Sequence, residues 1–467
     1  MNILIVGNGF DLSNYLPTKY DHFMVVMKAI EDRDESQGEM GFDNLFGLLY
    51  EKETYFFGYT KAMYKTDEIK ISVDKIKELK GQLKQNIWYQ YFSDHVREVK
   101  TWIDFETKIH DAINIVAILI EKLALKYTQT GRLSHEICFN SNEDESQIFL
   151  TRENCNVLRI LRIIKSGYYL DEDIDNGDGL ETVIHNIGDP DLGEFRFYIN
   201  SEYIHLQAGY SSIKDGLILQ ELQIHLEDFI KIFDSYLDLI ISNLSINCNF
   251  FIKGDSWTSP DKIYSFNYTN TYRKFYAQTA DTDFLHGRFG KDQNIVLGVS
   301  ELQNESLKNL KAYGFTKYHQ KLFKDTDYLF LDEYKNKAKQ NSVQLDKHHT
   351  YPYANLQSET SSLEQIRKSG LLNLDFLIWG HSLDVSDQDY IIDLFSLNDY
   401  MSRNVCVTIY YFDIPAKFSL LNNLLAILGK DKVEQWMKNK WLKFEPNPHL
   451  AELNKIQPVE LPKIAKA

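Results

Sequence analysis

Apolar residues along this chain follow two rhythms. At residues 3–6, and again beyond about 260, they form short solid runs: ILIV, then KIYSFNY, DFLHGRF, NIVLGVS, LDFLIWGHSL and NVCVTIYYFD. Several of these are apolar on both faces, which predicts strands of a parallel sheet covered on each side. From about 42 to 250 the apolar positions mostly recur three and four residues apart, which predicts helices. The longest such stretch is 216–246. Another runs through 125 and opens on a capping box, Thr101-Trp102-Ile103-Asp104. Residues 73–98 are rich in Lys and Glu at helical spacing, and 133–215 are less regular, with strand-like pieces QIFL and RFYIN. Thr18-Lys19-Tyr20-Asp21 fits a second capping box, which leaves 7–17 as a long lip after the first strand. Ser386 is the expected cap of a helix in SDQDYIIDLFSL. FSLLNNLLAILGK and KVEQWMKN read as two C-terminal helices, with a loose tail after Pro446. Residues 301–345, charged and aromatic, read as a helical flap.

One core strand at the amino terminus cannot bury both of its faces alone. The expected fold is therefore α/β: a Rossmann-like parallel sheet with a large helical insertion after its first strand. The expected core spans 1–32 and 256–415, the insertion 33–255, and C-terminal helices and a tail 416–467.

Composition narrows the functional classes. The 467 residues are 43% hydrophobic and 13% aromatic, enough for a sizeable core. The net charge of −16 argues against nucleic-acid binding through a broad phosphate contact. Cys138, Cys155, Cys248 and Cys406 are scattered, with no CxxC pair, so neither a zinc ribbon nor any other metal site is expected. The start lacks a basic region and a long apolar run, so it does not read as a signal peptide. The apolar stretch 112–125 is too short and too charged to span a membrane. The expected location is cytoplasmic. The acidic run 171–179 fails the EF-hand spacing in both registers tried, so it reads as a solvated loop.

Chemistry concentrates where the strands end. Gly7-Asn8-Gly9-Phe10-Asp11 follows the first strand, and glycines there let a backbone approach a pyrophosphate. Without a third glycine, a tight turn explains the pair equally well. SFNYTNT ends the next run with Asn267 and Thr269, FLHGRF ends on His286 and Gly287, and IWGHSLDVSD breaks at Gly380 into His381, Ser382 and Asp384. Each segment alone reads as a turn or cap. Four in order, all at the ends of parallel strands, are where α/β sheets bind ligands.

The order GNGFDLSNYLPTKY, WIDFE at 102–106, YSFNYTNT, LHG and GHSLDVSD resembles the AbiH family of bacterial phage abortive-infection proteins, over residues 5 to about 390. At greater distance it resembles the sirtuin-like NAD-binding fold. GNGFD stands where sirtuins carry GAGxS, Asn267 matches the asparagine of T-x-N-x-D, His286-Gly287 is similar to the catalytic HG, and Gly380 to Val385 look like the GTSLxV ribose turn. Asp11 replaces the serine of the first turn, Thr269 replaces the aspartate of the second, and the deacylases' zinc ribbon has no counterpart.

The resemblance implies an anti-phage effector that binds NAD and hydrolyses it to nicotinamide and ADP-ribose. NAD is then substrate, and no further cofactor is required. Gly7 and Gly9 would offer backbone N–H groups to the pyrophosphate, and Asn267 would bind the nicotinamide ribose or orient water. His286 would bind a ribose hydroxyl or act as base, and Ser382 and Asp384 would hold the adenosine ribose. Glu106 reaches the site only if the insertion folds back over the sheet; otherwise it is a helix N-terminal acid. A phage trigger is expected, with gating by residues 301–345 or by homo-oligomer contacts. Two alternatives stand: a nucleotide-binding sensor without catalysis, and a metal-dependent nuclease toxin using Asp11, Asp104, Glu106 and Asp384.

Overall fold

The computed structural model describes residues 1–94, 102–130, 136–138, 148–166, 169–170, 184–185, 196–207, 210–247, 257, 259–276, 279–326, 329–350 and 356–463. The acidic run 171–179, Cys248 and Thr101, the first residue of the expected capping box at 101–104, lie outside them.

Six parallel strands form the central sheet: β1 (Asn2–Val6), β2 (Lys262–Ser265), β3 (Thr282–Phe284), β4 (Leu374–Trp379), β5 (Val405–Tyr411) and β6 (Leu442–Pro446). Their spatial order is β3-β2-β1-β4-β5-β6. β1 is thus central, with Leu4 opposite Ile263 on one side and Leu377 on the other. The solid ILIV run follows from this position. Ile3 and Ile5 face one core with Phe376, Ile378 and Val407, while Leu4 and Val6 face another with Leu377, Trp379 and Trp257.

The sequence between β1 and β2 builds a mostly helical block with its own core, which includes the helices Tyr20–Asp32, Val73–Gln85, Ile87–Asp94, Trp102–Thr130 and Asp215–Tyr236. The last of these passes into a π turn at Leu237–Ile241. QIFL and RFYIN contribute Ile148–Phe149 and Arg196–Ile199 to a separate four-stranded sheet.

Several local expectations are corrected. A six-residue helix, Asn8–Ser13, begins directly after Gly7, so the lip is mostly helical. Lys19, not Thr18, stands at the N-cap of Tyr20–Asp32, and no side chain caps it. The helix Tyr20–Asp32 packs into the helical block's core rather than the sheet's. NIVLGVS is buried but forms no strand; it makes one bridge, Val299 to Thr316. β6 lies in the span 416–467, read from sequence as C-terminal helices and a tail with no strand, and pairs with β5.

Candidate functional site

In a parallel sheet of order 3-2-1-4-5-6, the direction in which successive strands are laid down reverses between β1 and β4, and a crevice opens beyond their carboxyl ends. A cavity of about 320 Å³ lies there. The end of β1 supplies Gly7, Asn8 and Asp11; the end of β2 supplies Phe266, Asn267, Tyr268 and Thr269. His286 follows β3, and Gly380, His381 and Ser382 follow β4. The helical block closes the space with Thr18, Lys19, Glu106, Phe233 and Leu237. The insertion therefore does fold back over the sheet. Phe105 explains how: its ring packs 4.0 Å from that of Phe92 and 5.3 Å from that of Phe229, and the next residue, Glu106, turns to the cavity.

The glycines of the first and last motifs serve each other. A Cβ on Gly7 would stand 2.6 Å from the Gly380 carbonyl oxygen, and one on Gly9 would stand 2.7 Å from Gly380 Cα. Gly380 has φ +73°, and a Cβ there would stand 2.0 Å from the Phe10 nitrogen. The N–H of Gly7 donates to the Trp379 carbonyl (3.0 Å), that of Gly9 to the Gly380 carbonyl (2.8 Å), and that of Phe10 to the Gly7 carbonyl (2.8 Å). These donors are spent inside the protein, which corrects the expectation that they cradle a pyrophosphate. Downstream, Leu383 is held at φ +53°, and its N–H donates to His381 Nδ1 at 2.9 Å. Because His381 Nδ1 accepts, the proton of a neutral His381 sits on Nε2, 3.4 Å from Asp387 Oδ2.

Asp387 anchors a buried network. Its Oδ1 lies 3.2 Å from His286 Nε2 and 3.3 Å from Lys317 Nζ, and Lys317 Nζ lies 2.9 Å from Glu106 Oε2. Burial works against Asp387's charge, but Lys317 and the hydrogen bonds from both histidines hold its carboxyl well below the ordinary range. Burial likewise opposes Lys317's charge, and Asp387 and Glu106 raise its ammonium above the usual lysine value. Burial pushes His286 down to about 3, so its imidazole is neutral near pH 7. Burial pushes Glu106 up to about 7; Lys317 opposes that rise and Asp387 adds to it. Glu106 is thus a cavity group poised to gain and lose a proton near neutral pH, whereas His286, expected to bind a ribose hydroxyl or act as base, is matched to hydrogen bonding.

Asp11 is a second unusual acid. It is 1% exposed, and burial lifts its carboxyl to about 6 against hydrogen bonds from Thr269, Thr271 and Asn267. Thr269 Oγ1 donates to Oδ2 at 2.5 Å, while Oδ1 accepts no hydrogen bond. Between the two histidines lies Phe266, with ring centroids 4.1 Å from His381 and 5.1 Å from His286.

The structure therefore brings Gly7, Asn8, Asp11, Glu106, Asn267, Thr269, His286, Gly380, His381 and Ser382 to one cavity. Four expected residues do not line it. Gly9 packs on Gly380. Phe10 is buried edge-on against Trp379 at 5.1 Å. Gly287, at φ +79°, lets the backbone pass Asn294, whose oxygen would lie 2.0 Å from a Cβ. Asp384 accepts from the Ser386 N–H at 2.9 Å and caps the turn Val385–Asp387; Asp387, not the expected Ser386, stands at the N-cap of the helix Gln388–Ser396. Lys317 and Asp387 were missed. Lys317 sits in the charged 301–345 segment, one residue after Thr316, whose Oγ1 caps the helix Lys317–Phe323. Asp387 closes GHSLDVSD, a motif read for its earlier residues.

A family model described as bacteriophage abortive infection AbiH matches residues 3–411, from the first residues of β1 to the last of β5. The chain belongs to the AbiH family. The matched region contains the whole cavity lining of this AbiH-family protein. No curated protein and no solved structure matches it significantly. Among the described residues, no helix is long and apolar enough to cross a membrane.

Proposed function

We propose that this phage-defence protein binds NAD at the cavity beyond β1 and β4 and hydrolyses the nicotinamide–ribose bond. The observation that carries the reading is the convergence of Asp11, Asn267, His286, His381 and Glu106, distant in sequence, on one crevice at the reversal of strand order. The sirtuin-like order of motifs supports the same ligand. In the proposed reaction the C1′–N bond breaks, and its electron pair leaves with neutral nicotinamide. Water then bonds to C1′ of the oxocarbenium-like ribose and gives its proton to the Glu106 carboxylate, leaving ADP-ribose. Glu106 suits this role because its proton affinity lies near neutral pH. The Asn267 amide and the neutral His286 ring would orient the ribose and the water.

The nuclease alternative fares worse. Lys317 Nζ sits between Glu106 and Asp387, where a bridging cation would stand, and Asp384 caps a turn. The sensor alternative shares the cavity and differs only in turnover. Incubating the full chain with NAD and separating the products distinguishes them. Nicotinamide and ADP-ribose are the expected products, at a rate that rises with pH through about 7. Binding without any product would establish the sensor instead.

A further inference from the structure

The cavity's recognition chemistry is more specific than NAD as a whole. We infer that the crevice takes the cationic nicotinamide-riboside half of its substrate and leaves the diphosphate outside, so that its substrate class is N-ribosylpyridinium compounds, phosphorylated or not. This rests on the NAD reading above and deepens it.

Three observations carry it. First, several of the groups that could hold a diphosphate are already used. The N–H groups of Gly7 and Gly9 are bound to the carbonyls of Trp379 and Gly380. Both lysines of the lining are paired: Lys317 with Glu106 and Asp387, and Lys19 with Glu53 at 2.5 Å. No arginine is among the described lining residues.

Second, the cavity lacks positive charge rather than negative. Asp11 has no cationic partner among its hydrogen bonds or ion pairs, and its buried Oδ1 accepts nothing. A ribose hydroxyl donating to Oδ1 would satisfy that oxygen, and a pyridinium nearby would compensate the carboxylate. A diphosphate in the same space would add negative charge beside it. The walls also include Phe233, Phe266 and Tyr268, aromatic groups of the kind that attract organic cations.

Third, the size fits half the dinucleotide. About 320 Å³ is near the lower end of ligand pockets, room for one ring and one sugar rather than two nucleosides.

Calorimetry on the full chain tests this with three ligands: NAD, nicotinamide riboside and ADP-ribose. Nicotinamide riboside should bind within about ten-fold of NAD, and ADP-ribose should bind roughly 100-fold more weakly or worse. The uncharged dihydronicotinamide riboside should bind at least about ten-fold more weakly than the cation, and Asp11→Asn should erase that difference. Any other ranking in which NAD still binds overturns the inference and leaves the NAD reading standing. If NAD itself does not bind, both fall. Should Asp11→Asn fail to fold, the ligand series on the unaltered protein still decides.

Discussion

Replacing Glu106 by Gln should make the protein a poorer catalyst and, at alkaline pH, a more stable fold. The raised proton affinity of Glu106 means that the folded state holds its proton more tightly than the unfolded chain. The stability it contributes is fully present below the ordinary carboxyl value of 4.5 and is lost as pH rises through about 7. The shift from 4.5 to about 7 corresponds to roughly 3 kcal/mol against the ionised side chain. The Lys317 pair, 2.9 Å away, is already included in that balance. Glutamine mimics the protonated form at every pH. The variant should therefore match the parent at pH 4.5 and exceed it by up to ~3 kcal/mol at pH 8 to 9. For a chain of 467 residues, with an unfolding entropy of roughly 2 cal/mol/K per residue, that is about 3 °C in Tm. Melting curves of both proteins from pH 4.5 to 9 read this directly. The same variant should lose roughly 10²–10⁴-fold in NAD cleavage if Glu106 takes the water proton. A Tm difference that stays flat across the whole pH range would refute the reasoning, because Glu106 would then titrate as an ordinary surface acid.

Other outcomes follow from neighbouring groups. Lys317→Met strips the cation from between two buried carboxylates and should cost about 3–5 kcal/mol at pH 8, read as a Tm loss of a few degrees. Much of that loss should return in the Lys317→Met/Glu106→Gln double variant, as a double-mutant cycle would record. His286→Ala should slow cleavage while preserving the rise of rate with pH through about 7, since that rise belongs to Glu106. A flattened profile in His286→Ala would reassign the base. Gly380→Ala forces a side chain onto φ +73° and within 2.0 Å of the Phe10 nitrogen; it should cost at least ~3 kcal/mol and show as lost solubility or a lost cooperative melt.

The sheet was legible where both faces are buried. β1 and β4 are solid apolar runs because each is covered on two sides, and their register follows from that position. β6 was not, because an edge strand has little apolar signal: in LKFEP only Leu442 is buried. NIVLGVS shows the opposite error. Ile295, Leu297 and Val299 are buried, but against the helical block and without a ladder, so an apolar run foretold burial and not a strand. The motifs do converge on one cavity, but their glycines serve a different purpose from the one expected. Sequence reveals that a backbone must come close to something; here that something is another backbone. Lys317 was invisible because a lysine on a short charged helix looks solvated. Only the fold shows it facing Glu106, about 210 positions earlier in the chain.

The central place of β1 also bears on synthesis. It leaves the ribosome before the other strands of its sheet, and its partners, β2 and β4, begin only at residues 262 and 374. At translation rates of ~5–20 residues per second, roughly 20–70 seconds pass before both exist. During that interval the nascent polypeptide can mature its helical block, but the crevice has neither floor nor far wall. A defence protein of this build thus emerges without its crevice, and a copy cut short before β4 never gains one.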